Sequence, residues 1–349
     1  MASRNCRSYY AAPEWRPRIE EIVNGAQMEN KVRVNEPQDI YVRAYARPLK
    51  PKLKKAFSLQ NPPKWTDYAL ISDWESRITA DQSPMFGFWR FCELRQGQYV
   101  VLEEGIVFND NGELSDKEIR VITEFAKRNK AETADDGCDQ IRVYSRYKFL
   151  REVLGVAIQA RAFIVFYNAG FDCSRLAVDW TPAKNGGWSL IFFQRRNPKT
   201  GQLEPIKFFP RIVIKALNSK TSIIHSTRPP LFESRTKDEK VPHWPAARFL
   251  DLRTLLWSLR NRSYSLESAC KEFKTEHQKI DHQPTGKATV EEIEYARCDV
   301  ACTVDLLNVV KQEFDLHPIA AGPDRMFSPA SVAKSYLEEL NILHPSKKI

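Results

Sequence analysis

Three short acidic segments carry residue types that could gather hard oxygen ligands: Asp73-Trp74-Glu75, Asn168-Ala169-Gly170-Phe171-Asp172 and Tyr295-Ala296-Arg297-Cys298-Asp299. Asp73 and Glu75 close a short apolar run, and residues two apart on an extended chain point the same way, so both carboxylates can address one place. Alone this is weak evidence, because Asp116-Lys117-Glu118 repeats the triplet and is better explained by charge at a helix start. Asp172 falls where an apolar run ends and a helix with Leu176 and Ala177 begins. Ligands collect at such strand ends in open α/β sheets, although a helix-capping aspartate accounts for the residue equally well. Tyr295 and Asp299 are four apart in a helical stretch and share a face that Cys302 and Leu306 continue. A carboxylate on so apolar a surface needs a cation or a hydrogen-bonding partner.

Four carboxylates suit Mg²⁺, with Mn²⁺ as the alternative, rather than zinc, and no cluster of His and Cys competes with them. Two such ions about 4 Å apart generate a hydroxide, stabilise a phosphorane-like transition state and support a departing 3′ oxygen. Tyr295 would orient the attacking water or help to deprotonate it.

The elements that must position these groups can be read from periodicity. Residues 68–72 form a short apolar strand, and β-like runs at 85–94 and 98–108 extend it into a meander. Ser115 and Glu118 have capping-box spacing before a helix whose face is Ile119, Ile122, Phe125 and Ala126. A second helix near 146–161 precedes a buried strand at 162–167. Residues from about 178 to 245 differ in character, with Gly186-Gly187 and Pro229-Pro230 punctuating β-rich runs, and read as a β-hairpin insertion. The core resumes at Arg248-Phe249-Leu250-Asp251, followed by helices at about 253–260 and 264–273. Thr289 and Glu292 are spaced as a capping box for a long helix to about Phe314, and Ser328-Pro329 opens a last one.

Composition bounds the class. The chain has 349 residues, with 53 Lys and Arg against 44 Asp and Glu, a formal +9 that favours a polyanionic partner, nucleic acid foremost. Seven cysteines without a Cys-x-x-Cys pair indicate neither a disulfide framework nor a zinc ribbon. No apolar run reaches the roughly 20 residues of a bilayer span, and the N-terminus lacks the apolar core of a secretory signal. An intracellular protein is expected, in the cytoplasm or nucleoid, with no membrane partner; Arg4, Arg7, Arg16 and Arg18 keep an organelle as the alternative, against which Glu14, Glu20 and Glu21 weigh. Residues 1–66, ending in a basic stretch rich in proline, read as an arm or linker, 67–315 as the main domain and 316–349 as a C-terminal helical segment.

In order, context and residue type, the three acidic segments resemble the Exo I, Exo II and Exo III motifs of the DEDD exonucleases, the DnaQ-like superfamily. The resemblance spans roughly residues 66 to 315, apart from the insertion. It implies an α/β fold with a ribonuclease-H-like mixed sheet flanked by helices, and 3′–5′ hydrolysis of DNA to nucleoside 5′-monophosphates. Asp73, Glu75, Asp172 and Asp299 are then the ligands of two metal ions, and Tyr295 is catalytic. Asn168 contacts the substrate end, Ser76 lies near the terminal nucleotide, and the bulky Trp74 is placed to stack on or crowd the terminal base. Asp251 is read as structural.

Tyrosine four residues before the last aspartate, with Glu294 where other members carry histidine, is similar to the proofreading domains of family B DNA polymerases. Residues 327–337 resemble the segment that follows such domains in polymerases of phages and linear plasmids. The expected partner is therefore single-stranded DNA or a DNA 3′ end; two arrangements stay open, a stand-alone or degenerate exonuclease, or the N-terminal part of a split polymerase whose palm and fingers module lies on another chain.

Two other readings compete. Ser331-Val332-Ala333-Lys334 and Lys199-Thr200-Gly201 match two motifs of serine acyl-transferases, but in reversed order and without the middle motif. A non-catalytic protein that binds single-stranded nucleic acid is the stronger rival. Arg142, Tyr144, Arg146, Tyr147 and Lys148 could serve it by stacking and charge.

Overall fold

A computed structural model describes residues 63–184, 186–206, 209–216, 222–227, 245, 247–340 and 342. Most of the expected N-terminal arm lies outside them. Its last residues do not behave as a linker: Trp65 packs edge-on against Phe163 and Phe314, and its indole Nε1 donates to Asp315 Oδ1 at 2.8 Å.

The central strand β1 (Tyr68–Ser76) is flanked on one side by the antiparallel strands β2 (Pro84–Arg95) and β3 (Gln98–Phe108). On its other side run the parallel strands β5 (Phe163–Phe166) and β12 (Arg248–Asp251), while β4 (Arg142–Ser145) adds in parallel to β3. The six-stranded order is β12-β5-β1-β2-β3-β4. Both faces are covered, which explains why β1 begins as an unbroken apolar run rather than alternating. Ala69 and Ile71 enter one core with Phe86 and Phe88, and Tyr68, Leu70 and Trp74 enter the other with Trp89 and Phe91. Burying a side chain of this size contributes about 1.5–3 kcal/mol, so the two cores hold β1 rigidly.

The helices follow their sequence signals closely. The helix α1 (Asp116–Arg128) has the Ser115/Glu118 capping box and buries Ile122, Phe125 and Ala126. Next, α2 (Arg146–Phe149) passes through a π-helical turn (Leu150–Leu154) into α3 (Gly155–Gln159), and α4 (Ala169–Leu176) begins directly after β5. After β12 come α5 (Leu252–Arg260), α6 (Leu266–Phe273) and the long α7 (Val290–Asp315). The last, α8 (Pro329–Glu339), has a Ser328 N-cap and sits beside a 3₁₀ turn (Pro323–Arg325) whose Asp324 pairs with Arg248 at 2.6 Å.

The insertion is larger than a hairpin. It contains a four-stranded sheet of order β11-β10-β7-β6, made from β6 (Asp179–Pro182), β7 (Trp188–Ile191), β10 (Arg211–Ala216) and β11 (Ser222–Thr227). A two-stranded ribbon of β8 (Gln194–Arg196) and β9 (Leu203–Pro205) is separate from it. The sheet packs on the main domain through Leu190, Ile212, Ile214 and Ile224, and Phe192 stacks on Phe249 with ring centroids 6.1 Å apart. The short runs and glycines announced strands here, but not how many would pair.

In the basic aromatic stretch at 142–148 only one of the two tyrosines is near the surface. Tyr144 is buried against Trp89, and Tyr147 accepts a hydrogen bond from Arg151 at 2.6 Å. Among the described residues no helix is long and apolar enough to cross a membrane.

Candidate active site

The alternation that β1 imposes decides which residues meet. Asp73 and Glu75 share the face toward α7, opposite Phe88 and Phe86 of β2, and a bulge at Ser76 ends the regular pairing. Trp74, between them, points to the opposite face, where it is 2% exposed in the second core. It therefore cannot stack on a terminal base beside these carboxylates, contrary to the substrate contact expected of it, because strand alternation sends its ring into the core. Ser76 remains half-buried at the strand end.

Asp172 is buried in the first turn of α4, and its Oδ1 accepts from the backbone N–H of Trp74 at 3.1 Å. That bond joins the start of α4 to the acidic end of β1 across 98 residues of sequence. The capping position itself is Asn168, whose side chain makes no cap hydrogen bond and is exposed, so its amide is left for another partner. Asp251 does cap a helix: its carboxylate accepts from Thr254 N at 3.0 Å at the start of α5, the structural role expected of it.

Asp299 projects from the buried side of α7. Two residues earlier, Arg297 donates to Glu104 of β3 at 2.7 Å, and Arg90 of β2 grips the same carboxylate at 2.7 Å. Removing one member of so buried a charge pair costs about 3–5 kcal/mol. This clamp fixes the height of α7 over the sheet, and with it Asp299. Thr289 caps α7 by accepting from Glu292 N at 3.3 Å, but the expected reciprocal bond is missing. Glu292 instead turns inward, almost fully buried, to His282 at 2.5 Å and to the backbone N–H of Thr285. His282 in turn lies against Tyr295, ring centroids 5.0 Å apart.

The residue that sequence reasoning missed is Lys279. Its ammonium donates to both Tyr295 OH and Asp299 Oδ2 and lies over the Tyr295 ring. The loop that carries it is pinned along α7 by His277 N on Asp305 at 2.7 Å and by Cys298 Sγ on the Gln278 carbonyl at 3.2 Å. Farther on, Arg77 holds the Gly286 carbonyl at 2.8 Å.

The electrostatics show one cluster. Desolvation, then the charge of Asp299, pushes Asp73 up to about 7. Desolvation, then the charges of Asp73, Asp299 and Glu292, pushes Glu75 up to about 9. Asp172 is raised well above the usual carboxylate range by burial and then by Asp73. Burial also raises Asp299, against the pull of Lys279. Tyr295 is pushed up to about 12, by burial first and Asp299 next, so its hydroxyl keeps its proton at neutral pH. It can orient a water but is a poor acceptor of that water's proton.

Mutual repulsion among hard oxygen donors is relieved by protons or by a cation. The donors fit a divalent cation in kind, and Asp299 Oδ1 is a buried oxygen with no hydrogen-bond partner. They do not form a finished cage: among the described residues no three His, Cys, Asp or Glu side chains stand close enough together to hold an ion. Lys279 supplies the positive charge on the Asp299 side.

No family model matches the chain, and no curated protein matches it.

Proposed function

We propose that this protein is a metal-dependent 3′–5′ exonuclease that shortens DNA from its 3′ end and releases nucleoside 5′-monophosphates. The observation that carries the reading is that Asp73 and Glu75 of β1 lie between Asp172 of α4 and Asp299 of α7: the charge of Asp299 raises both Asp73 and Glu75, and these two raise Asp172 in turn. An acidic cluster so costly to leave uncompensated is at home where a polyanion is cut with cations present. A central β1 with an antiparallel meander on one side and parallel strands on the other supports a ribonuclease-H-like identity for the sheet.

In this reading the four carboxylates hold two Mg²⁺ or Mn²⁺ ions, which when bound supply Lewis-acid stabilisation of the charge on the transferring phosphoryl group. Tyr295, tilted on His282 and hydrogen-bonded by Lys279, orients the attacking water through a hydroxyl that stays protonated. Asn168, with an exposed amide unused by its helix, and Ser76, at the bulge, contact the terminal nucleotide. A family B-like polymerase module on another chain is the partner that would use such an activity for proofreading.

One observation favours a second reading. Lys279 already neutralises Asp299, and a site content with its own ammonium would suit a non-catalytic binder of single-stranded nucleic acid. Digestion of a 3′-recessed and a single-stranded oligonucleotide with Mg²⁺, Mn²⁺ or EDTA separates the two. Metal-dependent release of mononucleotides that Asp73→Ala abolishes supports the exonuclease. Retention of labelled DNA at unchanged length in every metal supports the binder.

A further inference from the structure

The net charge of the chain is not spread evenly. Residues 178–245 contain 12 Lys and Arg against five Asp and Glu, a net +7; residues 1–66 carry an equal +7, with 13 against six, and the rest of the chain is net acidic, with 28 against 33. A segment so basic, set into a domain whose other residues are net acidic, is the footprint of a polyanion, and the carboxylate cluster lies elsewhere.

The insertion also exposes two tryptophans on one sheet face. Trp180 of β6 stands opposite Leu190 of β7, and Trp188 of β7 stands opposite Pro182 of β6. Cross-strand partners project to the same face, so the indoles are diagonal neighbours, within reach of adjoining bases. Continuing across the sheet, Trp188 lines up with Ile214 and then Ile224, and Leu190 with Ile212 and then Ser226. The apolar face is covered at Ile214 and Ile224, 5% and 4% exposed, and emerges at Trp188 and Trp180, 51% and 55% exposed. Lys184, in the turn between β6 and β7, is exposed, as are Arg195 and Arg196 of β8 and Lys199 beyond them.

We propose that this edge of the insertion sheet is a stacking platform for single-stranded nucleic acid, with Trp180 and Trp188 receiving bases and Lys184 meeting the phosphate backbone. Large aromatics beside cations are what such a strand requires, since every base has a face to stack and every linkage a charge. A protein ligand would use the apolar face but gains nothing general from +7 of net charge. The proposal rests on the exonuclease reading for its purpose, namely to hold the strand upstream of the 3′ end. Its placement fits: a Cβ added at Gly170, two residues before Asp172, would sit 3.6 Å from Ser222 Oγ at the start of β11. The platform edge is three strands away, about 14 Å at the usual strand spacing, so a bound strand can reach both.

The test is fluorescence anisotropy of a 5′-labelled 12-nucleotide oligothymidylate with the full chain in EDTA, where nothing is cut. Trp180→Ala with Trp188→Ala should weaken binding by about tenfold or more, the usual effect of removing stacked aromatics. Trp180→Phe with Trp188→Phe keeps the rings and should recover most of the affinity. Lys184→Glu should weaken binding and flatten its dependence on salt. Thermal melts check folding. If the alanine pair does not fold, the phenylalanine pair and Lys184→Glu decide the matter by the same criteria. Wild-type affinity in both the folded alanine pair and Lys184→Glu would overturn the platform and leave the face to a protein partner. The exonuclease reading fails separately, if no metal yields shortened DNA while the tryptophan series still sets affinity.

Discussion

The ammonium of Lys279 lies against the carboxylate of Asp299, where the loop preceding α7 crosses the buried face of that helix. The same ammonium donates to Tyr295 one helical turn earlier, so a single cation sets the orientation of both groups. An ammonium this close to would-be metal ligands has two opposed effects. It lowers the proton affinity of Asp299, and it repels a divalent ion from it.

Lys279→Met separates these effects, because methionine keeps much of the side chain's bulk without its charge. Mn²⁺ binding, followed by calorimetry in the absence of DNA, should tighten severalfold at pH 8, while turnover at saturating Mn²⁺ should fall by about ten- to a hundredfold as Tyr295 loses its anchor. Weaker Mn²⁺ binding by the variant would show that the ammonium organises the ligands rather than competing for them.

The pH dependence of stability follows from the carboxylates. Asp73 moves from 3.8 to about 7 and Glu75 from 4.5 to about 9 on folding, with Asp172 also raised. The folded chain without metal therefore holds more protons than the unfolded chain between about pH 4 and pH 9, and its stability falls as pH rises through that window. The favourable contribution is complete below the unfolded values and gone above about 9. Melting temperature in EDTA should decline from pH 5.5 to 9, and Mn²⁺ should flatten the decline by replacing the protons. A melting temperature in EDTA that rises across this range would contradict a repulsive cluster.

Asp73→Asn should accordingly divide activity from stability. If the proposed function holds, metal-dependent hydrolysis should drop by at least about a thousandfold, because the variant would lack one of the four proposed ligands. In EDTA at pH 8 the variant should melt higher than wild type, because one member of the repelling set is neutral. A variant that loses both activity and stability would point to Asp73 as a structural group.

How much of this was legible in sequence depends on what each residue's signal was. The spacing that put Asp73 and Glu75 together on β1 also sends the intervening Trp74 to the other core, so its orientation was available from the same alternation and was overridden by analogy. The capping signals of α1 and α8 appear as full reciprocal boxes, and Glu118 keeps its bond to Ser115 N although Arg77, a stronger partner, holds the same carboxylate. Glu292 has such partners in His282 and Thr285, which only the fold brings within reach. Lys279 lies in an irregular loop without periodicity or motif, and nothing local marks it. The insertion's β-rich runs were visible, but strand pairing between β7 and β10 is a long-range contact that turn residues cannot specify.

Gly87 offers a test of how tightly β1 is held at its acidic end. It stands opposite Trp74 on β2, and a Cβ there would lie 2.6 Å from the Asp73 carbonyl and 3.0 Å from the Trp74 ring. The carbonyl belongs to backbone and the ring is buried on all sides, so neither can yield without moving β1. Gly87→Ala should destabilise the chain by about 1–3 kcal/mol, the usual cost of overpacking. The displaced strand carries Asp73 and Glu75 with it, so turnover and Mn²⁺ affinity should both fall in the fraction that remains folded. Thermal melts alongside calorimetry measure the two effects. Wild-type metal affinity in a destabilised Gly87→Ala would mean that the carboxylates tolerate a shift of β1, and that their geometry is set by α4 and α7 instead.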